Sequence, residues 1–329
     1  MLEHIDRTRF VGRPVGVILG GDSPERPVSL ETGDALASAL EAMGWDVTRY
    51  DFPEDMQRFI ADPPAAAVLG LHGGAGEDGT VQGFLNLVGV TYTGSGVLAS
   101  AVASDKVCAK AVMRQAQVPL AAEVVLSHDQ LNRPGILAAI EDAGWAQSPV
   151  VFKPSDAGSS IGVFVLHDPD DLEQALTQAR RLLAAGDVTR FMLEEFLAGP
   201  EYSVGFFGDA CLGSIQITPA AGFYDFHAKY EARDTVYTPV EDEQLARRIE
   251  DAAKAAWRAL GGRSVGRVDV MGRDAESARV AVLEANTVPG MTATSLVPKL
   301  AQRHGISFEA LVELMLSSAT TDREVRGAG

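Results

Sequence analysis

Short apolar segments alternate with helical patterns in the first hundred residues, and this alternation restricts the possible folds more than any other feature. Apolar runs at residues 14–20, 46–52 and 65–71 are typical of short strands, and a helical pattern covers residues 28–43. Strands that alternate with helices form a parallel sheet with helices on its faces. Because ligands of such sheets bind beyond the carboxyl ends of the strands, we expect a site at loops 20–29 and 72–79.

The rest of the chain predicts further α/β units. Its 329 residues exceed one compact core and suffice for two or three. A helical pattern covers residues 97–117 and a strand covers 123–127, and residues 149–166 hold two apolar strands joined by a glycine-rich loop. Two more hairpins are predicted at 201–218 and 264–287, with helices at 241–260 and 308–317. The last ten residues are expected to be frayed.

The net charge of −17 limits the partners of this chain. It argues against nucleic acid and against anionic membrane as general partners. An anionic ligand can therefore bind only where cations are placed locally. The chain has 6 lysines against 22 arginines, and three of the lysines are candidate ligand contacts in the motifs below. Genomic composition accounts for the arginine-rich surface but not for the position of those lysines.

Several features predict a cytoplasmic protein. No segment has the roughly 18 consecutive apolar residues that cross a bilayer. The charged N-terminus lacks the apolar core of a signal peptide. Cys108 and Cys211 lie far apart and are expected to be free thiols, which suits a reducing compartment.

Two consecutive strands near the C-terminus carry polar residues at alternate positions. Arg267 and Asp269 in GRVDV share a face, as do Glu284 and Asn286 in LEANT, because strand residues two apart point the same way. Two carboxylates and an amide oxygen suit Mg²⁺, which bridges substrate phosphates. An ordinary solvated polar face is the alternative, but two such strands followed by NTVPGM favour a functional site.

The loop KPSDAGSSIG is a candidate phosphate site. Its backbone N–H groups and hydroxyls can close around phosphate oxygens, and Lys153 adds a positive charge. It is not a Walker A loop, since no G-K-[ST] ends it. Lys106 and Lys229 are isolated cations that could also contact phosphate, although a solvated surface lysine is the default interpretation for each.

Three further segments hold candidate substrate contacts. Glu25 follows the first strand, where a carboxylate could hold an ammonium group, and an exposed turn charge is the alternative. His72 lies in the tight turn HGGAGEDG, where a ring satisfied by a backbone carbonyl is the commoner outcome. In NTVPGMTATSLVP, the N–H groups of Gly290 and Leu296 and the Ser295 hydroxyl could receive a carboxylate or an oxyanion. Ser295 could equally cap a helix, and both roles are compatible.

In this order the motifs resemble those of D-alanine–D-alanine ligases of the ATP-grasp superfamily. The resemblance runs from about residue 15 to 316 and is carried by LGGDSPERPVSL, LHGGAGEDGTVQG, YTGSGVLASAVASDK, FKPSDAGSSIGV, GPEYSV, YDFHAKY, GRVDVM and LEANTVPGMTATSLVPK. It implies an α/β fold of three domains, at 1–95, 96–192 and 193–329, with a parallel sheet in the first. ATP would lie between the other two.

The resemblance also implies an activity. Two D-alanine molecules would be joined at the expense of ATP, by way of D-alanyl phosphate, for peptidoglycan precursor synthesis. A homodimer is expected by the same resemblance. An ester-forming relative that uses D-lactate is the first alternative, and Tyr230 favours the peptide-forming members. A nucleotide-binding protein without catalysis is the second, but it would have lost a metal ligand or Arg267, and these are present.

The resemblance assigns residues to ATP and metal. Phosphate contacts are expected from Lys106, Lys153 and Lys229, with Ser160 in the glycine-rich loop, adenine contacts from Glu194 and Leu197, and a ribose contact from Glu201. Two Mg²⁺ ions, with Mn²⁺ as a substitute, would be held by Asp269, Glu284 and Asn286.

The resemblance assigns the amino acid substrates as well. Glu25 would anchor the ammonium group of the first D-alanine and would join Ser159 and Tyr230 in a triad that closes a mobile loop. The remaining expected contacts are Arg267 and the Gly290 N–H at the oxyanion, Ser295 and Leu296 at the second carboxylate, and His72 at the substrate cavity.

Overall fold

The computed structural model describes residues 8–168, 170–219, 235–274 and 279–327, and the first of its three sheets is parallel. Its elements are β1 (Val15–Gly20), α1 (Arg26–Ala42), β2 (Val47–Phe52), α2 (Met56–Ala61), β3 (Ala66–Leu69), α3 (Thr80–Val88) and β4 (Thr91–Tyr92). The strand order is β2-β1-β3-β4 and every pair is parallel, so the predicted parallel sheet is confirmed. All six residues of β1 are buried, as expected for an inner strand covered on both faces.

Two helices occupy the segment that the sequence predicted as one helix over residues 97–117. They are α4 (Val97–Ser104) and α5 (Lys106–Gln115), so the prediction of a single helix was wrong. Asp105 separates them with an extended backbone (φ −105°, ψ 109°). Its carboxylate accepts hydrogen bonds from Val107 N (2.9 Å) and Cys108 N (3.0 Å) and caps α5. Lys106 is therefore the first residue of a new helix.

The second sheet is antiparallel and contains the glycine-rich hairpin. Its elements are β5 (Glu123–Val125), α6 (Arg133–Asp142), β6 (Val150–Pro154), β7 (Phe164–Leu166), α7 (Leu172–Ala185) and β8 (Phe191–Glu195). The order is β5-β8-β6-β7. The predicted hairpin is confirmed, because Val150 pairs with Leu166 and Phe152 with Phe164 in antiparallel register. In its loop, residues 155–163, Ala157 and Ile161 pack against the core of this sheet.

The third sheet is also antiparallel and carries both polar strands. Its elements are β9 (Glu201–Phe207), β10 (Ala210–Thr218), β11 (Val236–Pro239), α8 (Glu243–Ala259), β12 (Val265–Gly272) and β13 (Val280–Asn286). The order is β11-β10-β9-β12-β13, and both predicted hairpins are confirmed. Helix α8 packs against one face of this sheet, where Trp257 stacks on Phe206.

Three helices end the described chain: α9 (Leu296–Arg303), α10 (Phe308–Ser317) and α11 (Asp322–Gly327). The prediction of a frayed C-terminus was wrong for α11, which is anchored by Asp322. The Asp322 carboxylate accepts hydrogen bonds from Val97 N (3.1 Å) and Asn86 Nδ2 (3.1 Å) and pairs with Arg263 (3.0 Å). No helix within the described ranges is both long and apolar enough to cross a membrane.

Hydrophobic cores connect the first and third sheets more closely than either connects to the second. One core combines β1 and β3 with residues of β9, β10, β12, α9 and α10. The core of the second sheet contains only residues 126–193 in its buried set. Each predicted domain holds one sheet, except that β8 crosses the predicted boundary at 192. The bounds of the three domains stay a prediction.

Candidate active site

A cavity of about 540 Å³ lies between the second and third sheets. We call it the first cavity. Its walls come from β6, from the connection between β8 and β9, and from the exposed face of β12 and β13. Six of the residues predicted to contact ATP line it, namely Lys106, Lys153, Ser160, Glu194, Leu197 and Glu201. The seventh, Lys229, lies outside the described residues.

Two buried lysines share one carboxylate in the wall of the first cavity. Glu194 Oε2 accepts a hydrogen bond from Lys153 Nζ (2.5 Å), and Glu194 Oε1 accepts one from Lys110 Nζ. Burial alone would raise the pKa of Glu194, but the two ammonium groups outweigh it and hold that pKa below its ordinary value. Burial lowers the pKa of Lys153, and the nearby Lys110 and Lys106 act in the same direction, against Glu194. Lys153 and Lys106 line the cavity, and they are the positive charges that a polyphosphate would meet at this wall.

Lys106 joins the glycine-rich loop to the third sheet. Its ammonium group donates a hydrogen bond to Ala157 O (2.8 Å) and lies 3.2 Å from Glu284 Oε2. Its position follows from the break before α5, because Asp105 caps the helix and directs Lys106 into the cavity. In the same loop Ser159 and Ser160 have positive φ values of 52° and 59°, a conformation that costs a non-glycine residue free energy and is common at ligand sites.

The polar faces of β12 and β13 lie directly opposite each other. Arg267 pairs with Asn286 and Asp269 with Glu284 in the antiparallel register, so the predicted shared face is confirmed. Valines 268, 270 and 282 point into the core on the other face. Asp269 accepts hydrogen bonds from Ser203 Oγ (2.8 Å) and from Arg267 Nε (3.0 Å). The carboxylate of Asp269 is thereby fixed in one orientation.

The donor set on this face fits Mg²⁺. Asp269 and Glu284 supply carboxylate oxygens on adjacent strands, and these are the hard ligands that Mg²⁺ prefers together with water and phosphate oxygens. Asn286 directs Nδ2 toward Asp269 Oδ2 (3.4 Å), and a rotation of the amide would present its oxygen. The described residues contain no group of three or more histidine, cysteine, aspartate or glutamate side chains with metal-binding geometry. An ion here would therefore complete its shell with water and phosphate oxygens.

A second cavity of about 660 Å³ lies between the first and third sheets and meets the first at Glu284, which lines both. We call it the second cavity. The predicted loops after β1 and β3 both reach its wall, as expected at the carboxyl ends of parallel strands. The predicted substrate residues that line it are Glu25, His72, Ser159, Arg267, Gly290, Ser295 and Leu296, together with the predicted metal ligand Asn286. Tyr230 lies outside the described residues.

Glu25 contacts the tip of the glycine-rich loop. Its Oε1 accepts a hydrogen bond from the Ser159 hydroxyl. Burial raises the pKa of Glu25 and the Glu77 carboxylate raises it further, against the opposite effects of Ser159 and His72. Two of the three members of the predicted triad are therefore in contact.

His72 is 4% exposed and both of its ring nitrogens contact protein groups. Nδ1 lies 2.9 Å from Val288 O and Nε2 lies 2.9 Å from Thr32 Oγ1. This arrangement matches the commoner outcome weighed from the sequence. The ring joins the first sheet to the segment after β13, and its predicted contact with substrate stays a prediction.

Ser295 occupies the N-cap position of α9, but its side chain faces the preceding turn. Its Oγ accepts a hydrogen bond from Thr292 N (3.0 Å) and, within the described residues, none from an amide of α9. The Gly290 backbone passes close by, since a Cβ there would lie 3.3 Å from Ser295 Oγ. Gly290, Ser295 and the start of α9 thus form one polar corner of the second cavity.

Sequence reasoning missed Lys110, Ser203 and Lys299. Lys110 is 0% exposed, and its spacing of four from Lys106 within a helical pattern could have shown that both lie on one face. No sequence signal identifies Ser203, because its contact with Asp269 crosses from β9 to β12. Lys299 is the last residue of the motif LEANTVPGMTATSLVPK, and the resemblance implies no role for it.

Comparison with known proteins identifies the family. A family model described as D-ala D-ala ligase C-terminus matches residues 112–317. The chain is 41% identical over 319 residues to a D-alanine–D-alanine ligase of Geobacter sulfurreducens, covering 96% of each protein. The chain belongs to the D-alanine–D-alanine ligase family.

Other relatives of this ligase family agree over nearly the full length. A D-alanine–D-alanine ligase of Desulforudis audaxviator is 39% identical over 313 residues, covering 93% of this chain and 98% of that protein. The solved D-alanine–D-alanine ligase from Bacillus anthracis complexed with ATP superposes with a TM-score of 0.79 at 29% identity, covering 97% of this chain and all of that one. The predicted ATP-grasp fold is thereby confirmed.

Proposed function

We propose that this member of the D-alanine–D-alanine ligase family joins two D-alanine molecules to D-alanyl-D-alanine, with ATP converted to ADP and phosphate. The product would serve peptidoglycan precursor synthesis. Besides family membership, one observation carries the proposal: Glu284 lines both cavities. A phosphate donor in the first cavity and a carboxylate in the second would therefore both lie beside Glu284.

In the first step a carboxylate oxygen of the first D-alanine attacks the γ-phosphorus of ATP. The bond from that phosphorus to the bridging oxygen breaks, and ADP leaves with the electron pair. Glu25 would hold the ammonium group of this substrate, while Lys106 and Lys153 would offset the negative charge that gathers as two anions meet. The product of the step is D-alanyl phosphate.

In the second step the amine of the second D-alanine, once deprotonated, attacks the carbonyl carbon of D-alanyl phosphate. Negative charge moves to the carbonyl oxygen, where Arg267 and the Gly290 N–H would stabilise it. The carbon–oxygen bond to phosphate then breaks, the nitrogen loses a proton to the departing phosphate, and the amide remains. Ser159, in contact with Glu25, would help to close the glycine-rich loop over an intermediate that water would otherwise hydrolyse.

Asp269, Glu284 and Asn286 would hold two Mg²⁺ ions, with Mn²⁺ as a substitute. When bound, these ions would neutralise phosphate charge during transfer. The fixed orientation of Asp269, bonded to Ser203 and Arg267, supports this assignment.

We further propose a cytoplasmic homodimer. The free thiols of Cys108 and Cys211 support a reducing compartment.

Phosphate release and product mass test the proposed function together. The purified protein would be incubated with ATP and Mg²⁺ and with D-alanine, with L-alanine, or with D-alanine plus D-lactate. We expect one D-alanyl-D-alanine for each phosphate released with D-alanine, and no turnover with L-alanine. Reactions with EDTA, and with Mg²⁺ or Mn²⁺ restored, test the metal assignment.

The alternative outcomes are distinct. An ester product with D-lactate would leave the assignment of the ATP site unchanged and would identify D-lactate as the second substrate. Binding of ATP without any turnover would contradict the proposal and favour a non-catalytic nucleotide-binding protein.

A further inference from the structure

Lys299 lies in the wall of the second cavity and has no part in the mechanism above. It belongs to α9, one turn after Ser295, and its backbone N–H donates to Ser295 O (3.1 Å). Residues four apart on a helix share a face. Lys299 and Ser295 therefore face the same cavity.

The direction of the Lys299 side chain is set by its helix and by an aromatic ring. Side chains on a helix lean toward its N-terminus, so Lys299 leans toward Ser295 and Leu296. Its Nζ lies 4.1 Å from the centre of the Tyr237 ring, in cation–π geometry. Such a contact orients the ammonium group and leaves its charge uncompensated by an anion.

The charges around the second cavity make this lysine unusual. The acidic residues that line it are Glu25, Glu31, Glu77 and Glu284, and the lining cations are Arg267 and Lys299. Arg267 is already bonded to Asp269. Among the residues that the structure describes, no carboxylate lies within ion-pair distance of Lys299. An amino acid carboxylate that enters this acidic cavity can find an uncommitted positive charge at Lys299.

We propose that Lys299 is a specificity-determining residue that attracts the carboxylate of the second substrate to the corner formed by Ser295 and Leu296. The inference rests on the proposed function and deepens it. Lys299 would select a free amino acid over an acceptor whose carboxyl group is blocked.

The electrostatic state of Lys299 supports this role. Partial burial lowers the pKa of Lys299, because the ammonium group loses water. A bound carboxylate would return a favourable charge interaction to that group. The lysine is thus suited to an anion that is present only when substrate is bound.

Competition between two acceptors tests the proposal. D-Alaninamide has the amine of D-alanine but no carboxylate, so it can act only as the second substrate. The protein would receive ATP, Mg²⁺, D-alanine and D-alaninamide, and mass spectrometry would give the ratio of D-alanyl-D-alanine to D-alanyl-D-alaninamide. This ratio depends on the acceptor step and is independent of binding at the first site.

We expect Lys299→Met to lower the ratio by about 10- to 100-fold, which is the loss expected for one charge-assisted contact. Lys299→Arg should lose less, because it keeps the charge. Lys254→Met is the matched control: Lys254 lies on α8, where it pairs with Glu250, and outside the lining of either cavity. Its ratio should equal that of the unaltered protein.

Two results would overturn the inference. An unchanged ratio in Lys299→Met, which is also what equal losses with both acceptors would give, would show that Lys299 does not recognise the carboxylate. If the unaltered protein formed neither product, the proposed function itself would fail and this inference with it. Success of the unaltered protein with an unchanged Lys299→Met ratio would remove only the role of Lys299.

Discussion

Glu25 combines burial with a raised pKa at the position where an ammonium group is expected. Because its pKa is raised, the carboxyl group gains a proton as pH falls at values above the ordinary glutamate range. The neutral form attracts an ammonium group weakly. The affinity of the first site for D-alanine should therefore fall as the pH is lowered.

We expect the KM for the first D-alanine to rise as pH falls through the raised pKa of Glu25. Glu25→Gln should raise that KM by about 10- to 100-fold at neutral pH, as for loss of a charged hydrogen bond, and should flatten its pH dependence. Initial rates over a range of D-alanine concentrations at several pH values measure this. Glu31→Gln, on the exposed rim of the same cavity, should keep the original profile. A pH dependence that survives in Glu25→Gln would assign the titration to another group.

Arg267→Ala should reduce kcat by about 100- to 1000-fold while ATP still binds, because its contact strengthens as charge develops on the carbonyl oxygen. Dipeptide formation and calorimetric binding of ATP measure the two effects. Arg247→Ala, an exposed arginine of α8 paired with Glu243, serves as the control and should retain full activity. Nearly normal turnover of Arg267→Ala would contradict the assigned role.

Helix α5 and strand β8 are joined by buried charges, and this contact could not be predicted from either segment alone. Lys110 contacts Glu194 and donates a hydrogen bond to Ala121 O (2.9 Å), and it also lies 3.3 Å from Glu123 Oε2. Glu123 in turn pairs with the exposed Arg114. A series of side chains of alternating charge thus runs from the protein surface to the wall of the first cavity, in the order Arg114, Glu123, Lys110, Glu194 and Lys153.

Lys110→Met should lower the free energy of unfolding by about 3 kcal/mol, since it removes one partner of a buried ion pair while Glu194 keeps Lys153. It should also raise the KM for ATP, because Glu194 loses a fixed position. Urea denaturation and ATP kinetics measure the two effects. Arg114→Ala, at the exposed end of the same series of charges, should cost less than about 1 kcal/mol. Equal losses in both variants would place the effect outside the Lys110–Glu194 contact.

The sequence predicted elements with strong periodicity and missed features that depend on single contacts. The polar faces of β12 and β13 could be predicted because side chains alternate between the two faces of a strand. This alternation places Arg267 with Asp269, and Glu284 with Asn286, whatever else these residues contact. The break at Asp105 was missed, since an aspartate within an apolar helical pattern is compatible with both a continuous helix and an N-cap. Lys110 was missed because burial of a lysine depends on a carboxylate that lies 84 residues further along the chain.

At the scale of the whole molecule, Asp322 joins the C-terminus to the first sheet and to α4. Besides Val97, Asn86 and Arg263, it contacts the Tyr92 hydroxyl (3.3 Å). The composition of the last ten residues predicted fraying, because polar termini usually lack partners. Partners so distant in sequence are visible only in the folded chain.

Asp322→Asn should lower the free energy of unfolding by about 2 kcal/mol at neutral pH, through weaker charged hydrogen bonds. Burial alone would raise the pKa of Asp322, but the Val97 amide and Arg263 outweigh it and lower that pKa. A lowered folded pKa gives stability that is present above the unfolded pKa of about 3.9 and is lost as pH falls through the folded value. The difference between variant and parent in urea should therefore disappear in strong acid. A constant difference down to that pH would exclude the carboxylate charge as its cause.

The separate core of the second sheet has a mechanical consequence. The first and third sheets share a core, and two chain crossings near residues 119–122 and 196–200 join the second sheet to them. A small apolar cluster of Ala121, Leu197 and Ala281 lies at these crossings. Polar contacts hold the glycine-rich loop of the second sheet against the rest of the protein, namely Lys106 with Ala157 O and Glu25 with Ser159. Separation of the second sheet from the other two would exchange those polar contacts for water, and we expect nucleotide to enter and leave by such a movement while the core shared by the first and third sheets stays intact.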